Sequence, residues 1–364
     1  MASLEVTKSF WKNKKVLITG HTGFKGSWLS IWLKSLGAEV IGVSLDPPSK
    51  PSLYVKANIS DEIVSLRQDI RDLEAIKKIF QKYKPEIVFH LAAQALVKYS
   101  YVSPVETYET NFMGTLNILE GIRSINSVRA AIMITSDKCY ENTESERGYI
   151  ENDPMGGYDP YSSSKGAAEL LISSYRNSFF SVVNFDEHNT AISSVRAGNV
   201  IGGGDWAEDR LIPDLIKSFQ SNKQVEIRNP NAIRPWQHVL EPLSGYIQLA
   251  ELLTKDGAKY AEAWNFGAAE EDARPVEWIV EKLSDLWGSE VGWCKDDSPQ
   301  PHEANYLKLD CNKAFERLNW TPKWSLEEAL LKIVEWHKEE QLKTISCKEL
   351  CLSQIDNYTK DMNK

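Results

Sequence analysis

Residues 16–26 read VLITGHTGFKG: four apolar or β-branched residues run straight into three glycines spaced G-x-x-G-x-x-G, and an apolar stretch, SWLSIWLKSLG (27–37), follows with helical spacing. A strand, a glycine turn and a helix in that order make an anion-binding corner. Gly20 permits the tight turn, Gly23 lets a ligand approach the backbone closely, and Gly26 lets the helix pack against the strand. The helix N-terminus then faces a pyrophosphate. The intervening Thr22, Phe24 and Lys25 belong to the same dinucleotide-binding turn. His21 is expected to pack or to bond backbone.

Outward from this corner the first half keeps alternating. EVIGVSL (39–45), KPEIVFHLAA (84–93) and VRAAIMITS (128–136) read as strands, the last two almost continuously apolar and therefore covered on both faces. DLEAIKKIFQKY (72–83), ETNFMGTLNILE (109–120) and YSSSKGAAELLISSYRN (161–177) read as helices between them. Strands alternating with helices predict an α/β fold, a doubly wound parallel sheet of Rossmann type, with its ligand at the carboxyl ends of the strands. The expected division is a dinucleotide-binding domain over 1–180, a smaller interleaved α/β substrate lobe over 181–340 with some segments returning to the first domain, and a polar tail over 341–364, frayed or lightly docked.

The chain has 364 residues, 42 Lys plus Arg against 51 Asp plus Glu, and a formal net charge of −9. That sign opposes a nucleic-acid partner, whose phosphates demand a basic surface. No apolar run reaches the roughly 18 residues of a membrane span, and the start carries no signal-peptide pattern. Five scattered cysteines without a C-x-x-C pair suit reduced thiols and a cytoplasmic location. Cys347 and Cys351 share a helix spacing, but no second pair completes a metal site, so none is expected.

Some twenty residues past the glycine turn stand Ser44 and Asp46, where an acid meets the adenine ribose hydroxyls. No Arg or Lys follows before Lys50, which favours NAD over its 2′-phosphorylated form; the plainer alternative for Asp46 is a turn residue before Pro47-Pro48. Asp69-Ile70 closes the next strand, where the carboxylate either accepts the adenine amino group or is a solvated loop acid. Tyr161 and Lys165 are four apart and project from one helix face. An ammonium beside a phenol favours the phenolate, giving a base for an alcohol. Ser136 ends a strand near the same place and is expected to orient the substrate oxygen.

With the glycine turn, HLAAQ (90–94), ETNFMGTLNILE, TSDK (135–138), YSSSK (161–165), VRAGNVIG (195–202) and RPWQHV (234–239), the chain resembles the extended short-chain dehydrogenase/reductase family to about residue 335. VRAGNVIGGGDWAEDRLIPD (195–214) and TSDKCYEN (135–142) make it most similar to the CDP-glucose 4,6-dehydratases within that family. The resemblance implies a tightly held NAD, a nucleotide-sugar substrate, and a homodimer or homotetramer built through the helices carrying Asn111 and Tyr161. It adds Leu91, Ala92, Ala93, Gln94 and Thr110 to the cofactor residues and Asn111 to the substrate residues.

Oxidation at C4 of the sugar is the step shared across that family. A 4-keto group acidifies the C5 proton, so a base at C5 and an acid at the C6 hydroxyl turn oxidation into loss of water. Asp137 and Lys138 follow Ser136 and are placed for these two jobs. The related dTDP-glucose enzymes carry Asp-Glu here, so Lys138 acts either as a base or as a cation stabilising the enolate. Arg234 offers a planar fork for the nucleotide diphosphate, with Arg210, Lys98, Asn199 and His302 as further substrate contacts; a surface ion pair is the alternative for each cation. Two other functions remain open at this stage: a nucleotide-sugar 4-epimerase, which needs no C5 base or C6 acid, and a non-catalytic NAD-binding sensor.

Overall fold

The computed structural model describes residues 8–145, 147–296 and 306–364. Seven strands form one parallel sheet: β1 (Lys15–Thr19), β2 (Glu39–Ser44), β3 (Val64–Arg67), β4 (Ile87–His90), β5 (Ala130–Ile134), β6 (Ala191–Ala197) and β7 (Ala263–Phe266). Their order across the sheet is β7-β6-β5-β4-β1-β2-β3. The order reverses between β1 and β4, where Ile18 lies opposite Gly42 on one side and Phe89 on the other. A crevice opens at such a switch point, beyond the carboxyl ends of the strands.

Every residue of β4, β5 and β6 is buried. Helices cover both faces, which explains why the β4 and β5 segments read as almost continuous apolar runs. One face packs Trp28, Trp32, Val239, Leu243 and Trp264 into a large core, and the other packs Ile76, Phe80, Ile118, Leu119 and Ile172. β6, β7 and the helix Leu240–Tyr260 come from the second half of the chain and complete the sheet.

The smaller lobe has its own core of Leu215, Ile216, Ile279, Leu283, Leu330 and Ile333. Three short strand pairs frame it: Val200–Ile201 with Gln237–His238, Val225–Ile227 with Trp293–Lys295, and Ile233–Pro235 with Ala273–Pro275. The Gly202-Gly203-Gly204 stretch is a packed bend. A Cβ on Gly203 would fall 2.2 Å from the Trp336 ring.

The carboxyl-terminal segment, expected to be a frayed or lightly docked polar tail, is docked through a buried helix face. Cys347–Met362 is a helix with a complete capping box between Ser346 and Glu349, and it buries Cys347, Leu350, Cys351, Gln354, Ile355 and Tyr358. These positions recur at three- and four-residue spacing, so one face is inside although the composition is polar. Tyr358 stands edge-on to Trp32 and Trp324 and donates its hydroxyl to the buried Glu241. Both cysteines are buried on the same helix. Among the described residues no group of three or more His, Cys, Asp or Glu could hold a metal.

Candidate active site

One cavity of about 1130 Å³ runs from the switch point across to the smaller lobe. The glycine turn forms its floor. Gly20 adopts φ +76°, and a Cβ there would lie 2.8 Å from the Ala92 nitrogen, while a Cβ on Gly26 would lie 2.1 Å from the Gly20 carbonyl. Neither position tolerates a side chain without moving backbone. Gly23 caps the helix Phe24–Ser35 without any side-chain hydrogen bond, so the first amides of that helix remain open towards the cavity. An uncapped helix start above a cleft this large fits a dinucleotide pyrophosphate.

His21 faces away from chemistry. Its ring is buried against Gly42, its Nε2 lies 2.7 Å from Ser65 Oγ, and burial and the nearby Arg67 bring its pKa down to about 4. Thr22 Oγ1 lies 2.7 Å from Ser44 Oγ and donates to the Leu45 carbonyl at 3.0 Å, tying the turn to the end of β2. Beyond it, Asp46 accepts from Arg67 Nε at 2.9 Å. No Arg or Lys follows Asp46 in sequence before Lys50, but the sheet brings Arg67 to this corner. Arg67 ends the neighbouring strand, and the parallel register sets it beside Ser44. Asp69 accepts from the Arg71 backbone at 2.8 Å and from its guanidinium at 2.9 and 2.7 Å, which holds its carboxyl below the ordinary range.

Leu91, Ala92, Ala93 and Gln94 cross the crest of the sheet and line the cavity with Ile70 and Thr110. Asn111 does not join them, which corrects its assignment to the substrate. It is 2% exposed, on a π-helical turn over Glu109–Met113. Its amide accepts from Gln94 N at 2.8 Å and donates to the Gln94 carbonyl at 3.0 Å and to Ser164 Oγ at 2.9 Å. With these bonds made, Asn111 clamps the crest loop to the helix Pro160–Ser178 from behind.

That helix begins with Asp159 accepting from Ser162 N at 2.9 Å and with Pro160 in its first turn. Tyr161 and Lys165 therefore leave its first two turns and enter the cavity together. Burial pushes the Tyr161 phenol up to about 12, against a hydrogen bond with Ser136, and brings the Lys165 ammonium down to about 8. Lys25 lies towards the same end; burial, with Arg210 and Lys165 adding repulsion, lowers it to about 8. Ser136 donates to Asp137 Oδ1 at 2.9 Å and accepts from Lys138 N at 3.2 Å, closing a single 3₁₀ turn after β5. Asp137 is 4% exposed, and burial raises its pKa over the opposing influence of Lys138, Ser136 and Arg234. A buried carboxyl that holds its proton more tightly than an exposed one thus stands beside a phenol and an ammonium.

The far wall comes from the smaller lobe. Arg234 is buried there and donates to its neighbouring Ile233 carbonyl at 2.9 Å, and Asn199 lines the same wall. Arg210 pairs with Asp205 at 3.0 Å and Lys98 with Asp209 at 3.0 Å, both within the cavity lining. His302 lies outside the described residues.

The sequence reading overlooked a buried network behind the end of β5. Glu169, one turn after Lys165, accepts from Thr135 Oγ1 at 2.5 Å, Ser194 Oγ at 2.7 Å and Arg196 Nη2 at 2.8 Å. Arg196 also donates to Tyr140 Oη at 2.6 Å. The signal available in sequence was an acid at i+4 from the lysine, on the face that the helix buries.

Comparison with known proteins agrees with this geometry. The family model described as GDP-mannose 4,6 dehydratase matches residues 17–333. The chain is 57% identical over 333 residues to the CDP-glucose 4,6-dehydratase of Salmonella typhimurium, covering 92% of this chain and 93% of that protein. It is 26% identical over 346 residues to the dTDP-glucose 4,6-dehydratase of Haemophilus influenzae, covering 88% and 97%. Among solved structures, the UDP-glucose 4-epimerase of Thermotoga maritima with UDP-glucose superposes with a TM-score of 0.75 at 24% identity, over 90% of this chain and 99% of that one. The Bacillus anthracis dTDP-glucose 4,6-dehydratase in complex with NAD gives 0.74 at 18%, over 90% and 98%. These two likenesses speak to the fold alone. The chain belongs to the GDP-mannose 4,6 dehydratase family, within the extended short-chain dehydrogenases/reductases.

Proposed function

We propose that this protein is a lyase, a nucleotide-sugar 4,6-dehydratase that converts CDP-glucose to CDP-4-keto-6-deoxyglucose with NAD as a cofactor regenerated in each turnover. Bound NAD supplies the hydride acceptor for C4 and the hydride donor for C6. The glycine turn, Ser44, Asp46 and the crest loop 91–94 would hold it, in the cavity that Tyr161 and Lys165 also line.

Tyr161 Oη takes the proton of the C4 hydroxyl, with Lys165 favouring the phenolate and Ser136 bonded to the same oxygen. The Lys138 amine takes the C5 proton, acidified by the new ketone, and the ammonium so formed stabilises the enolate and later returns a proton to C5. Asp137 gives its proton to the C6 hydroxyl, which departs as water, and C5 regains a proton as C6 receives the hydride. Arg234, with Asn199, Arg210 and Lys98, faces the nucleotide diphosphate.

The observation that carries this reading is the buried Asp137 carboxyl, its pKa raised by that burial, adjoining Ser136 and the Tyr161/Lys165 end of the cavity. A 4-epimerase has no use for that acid. The specificity for cytidine rests on the 57% identity to the Salmonella typhimurium protein. Incubation with CDP-, UDP- and dTDP-glucose in deuterated water tests it: CDP-glucose is expected to yield a C6 methyl and deuterium at C5, and a C6 hydroxymethyl product from every donor would refute it.

Exposed Tyr101, Val102, Val105, Tyr108 and Leu170 on helices Val97–Val102, Pro104–Tyr108 and Pro160–Ser178 support a homodimer through these faces, with a tetramer as the alternative. Five free cysteines fit a cytoplasmic location. No described helix is long and apolar enough to cross a membrane.

A further inference from the structure

We propose that Asp46 masks a 2′-phosphate subsite: the Arg67 guanidinium is an anion-binding group that Asp46 already occupies, and this pairing keeps a 2′-phosphorylated dinucleotide out of the site. The inference rests on the dinucleotide reading and concerns which adenosine the site accepts.

Asp46 lines the cavity mouth two residues beyond Ser44. Arg67, the last residue of β3, is paired in register with Ser44, and its Nε donates to Asp46 Oδ1 at 2.9 Å. The guanidinium is also held independently of that carboxylate. Its Nη1 donates to Ser65 Oγ at 3.1 Å, and it lies 4.9 Å from the centre of the Tyr54 ring. Tyr54 Oη is 2.8 Å from Ser65 Oγ, which in turn is 2.7 Å from His21 Nε2 inside the glycine turn. Removing Asp46 would therefore leave Arg67 in place and facing the position its carboxylate had filled.

A guanidinium that bonds a carboxylate offers the same donors to a phosphate. With Asp46 present, a 2′-phosphate meets a fixed anion and finds the cation taken. Without it, the phosphate replaces one anion by another. The pair is substantially exposed, with the Asp46 side chain 91% accessible, so it contributes little to folding and can be altered without loss of the fold. Lys50 lines the same mouth and is the competing cation.

The test is calorimetric binding of NAD and NADP, which differ only at the 2′ position, to the full chain and to Asp46→Ser, Asp46→Asn and Asp46→Ser/Arg67→Gln. The expected result is that either single variant improves NADP relative to NAD by about tenfold or more, as one charge-assisted hydrogen bond allows, and that the double variant loses most of the gain. If the single variants still bind NAD but leave the ratio unchanged, or if the double variant keeps the gain through Lys50, the proposal is overturned. If the unaltered chain binds neither dinucleotide, the cofactor reading fails and takes this proposal with it.

Discussion

Ser136 and Asp137 are neighbours in sequence and partners in space: the Ser136 hydroxyl donates to Asp137 Oδ1 at 2.9 Å, across a turn that also bonds Ser136 to the Lys138 amide. The residue aligned with C4 oxidation and the residue proposed for C6 elimination thus share one hydrogen bond. The turn is held from behind by Thr135, whose hydroxyl donates to Glu169. On the proposed roles, groups for oxidation and for dehydration stand together at one strand end.

Asp137→Asn separates the two half-reactions. It keeps the shape and a hydrogen-bonding partner for Ser136 but removes the transferable proton, so dehydration is expected to slow by about 10²–10⁴-fold. Reduced nicotinamide should then accumulate during turnover, visible in its near-ultraviolet absorbance. Unchanged formation of the 6-deoxy product would assign the acid elsewhere.

Lys165 sets a pH dependence. Burial lowers its pKa to about 8, so its charge is present below that value and lost above it. A neutral amine no longer favours the Tyr161 phenolate, and kcat/KM should fall as pH rises through about 8. Lys165→Met is expected to lower kcat/KM by about 10²-fold or more and to abolish that limb. A limb that persists unchanged in the variant would have another origin.

Glu169→Ala leaves Arg196 buried without its carboxylate partner, an uncompensated charge that costs roughly 3–5 kcal/mol. Denaturant unfolding should show that loss. Glu169 also favours the charged form of Lys165, so in Glu169→Gln the falling limb of kcat/KM should move to lower pH. A variant that is less stable but has an unmoved pH profile would confine Glu169 to a packing role.

Glu241 links the carboxyl-terminal helix to stability. It accepts from the Lys323 and Trp324 amides at 3.0 and 2.9 Å and from the Tyr358 hydroxyl, and burial raises its pKa from 4.5 to about 7. A raised carboxyl pKa means that the folded chain binds more protons than the unfolded chain between these values. This group's contribution is therefore full below about pH 4.5 and declines as pH rises through about 7. Glu241→Gln should flatten that part of the stability–pH curve measured by urea unfolding; parallel curves for the two proteins would show that the group does not titrate there.

What the sequence disclosed was local. VLITGHTGFKG, TSDK and the Tyr161/Lys165 spacing each lie within one strand, turn or helix, and period and glycine placement are enough to read them. Arg67 was hidden because it meets Asp46 only through the pairing of β2 with β3, a contact with no local signature. Asn111 was carried to the substrate residues by the resemblance, and a motif does not show that its amide is consumed by Gln94 and Ser164. The last helix was missed because cysteine and tyrosine carry much of its buried face, and they register weakly as an apolar stripe.

The central claim is that the hydride taken from C4 is the one returned to C6. CDP-glucose bearing deuterium at C4, incubated with the purified protein in ordinary water and followed by deuterium and proton NMR, tests it most directly. The account predicts that the label appears in the C6 methyl of the 4-keto product. Recovery of the label at C4 of an epimerised sugar whose C6 still carries its hydroxyl would contradict it.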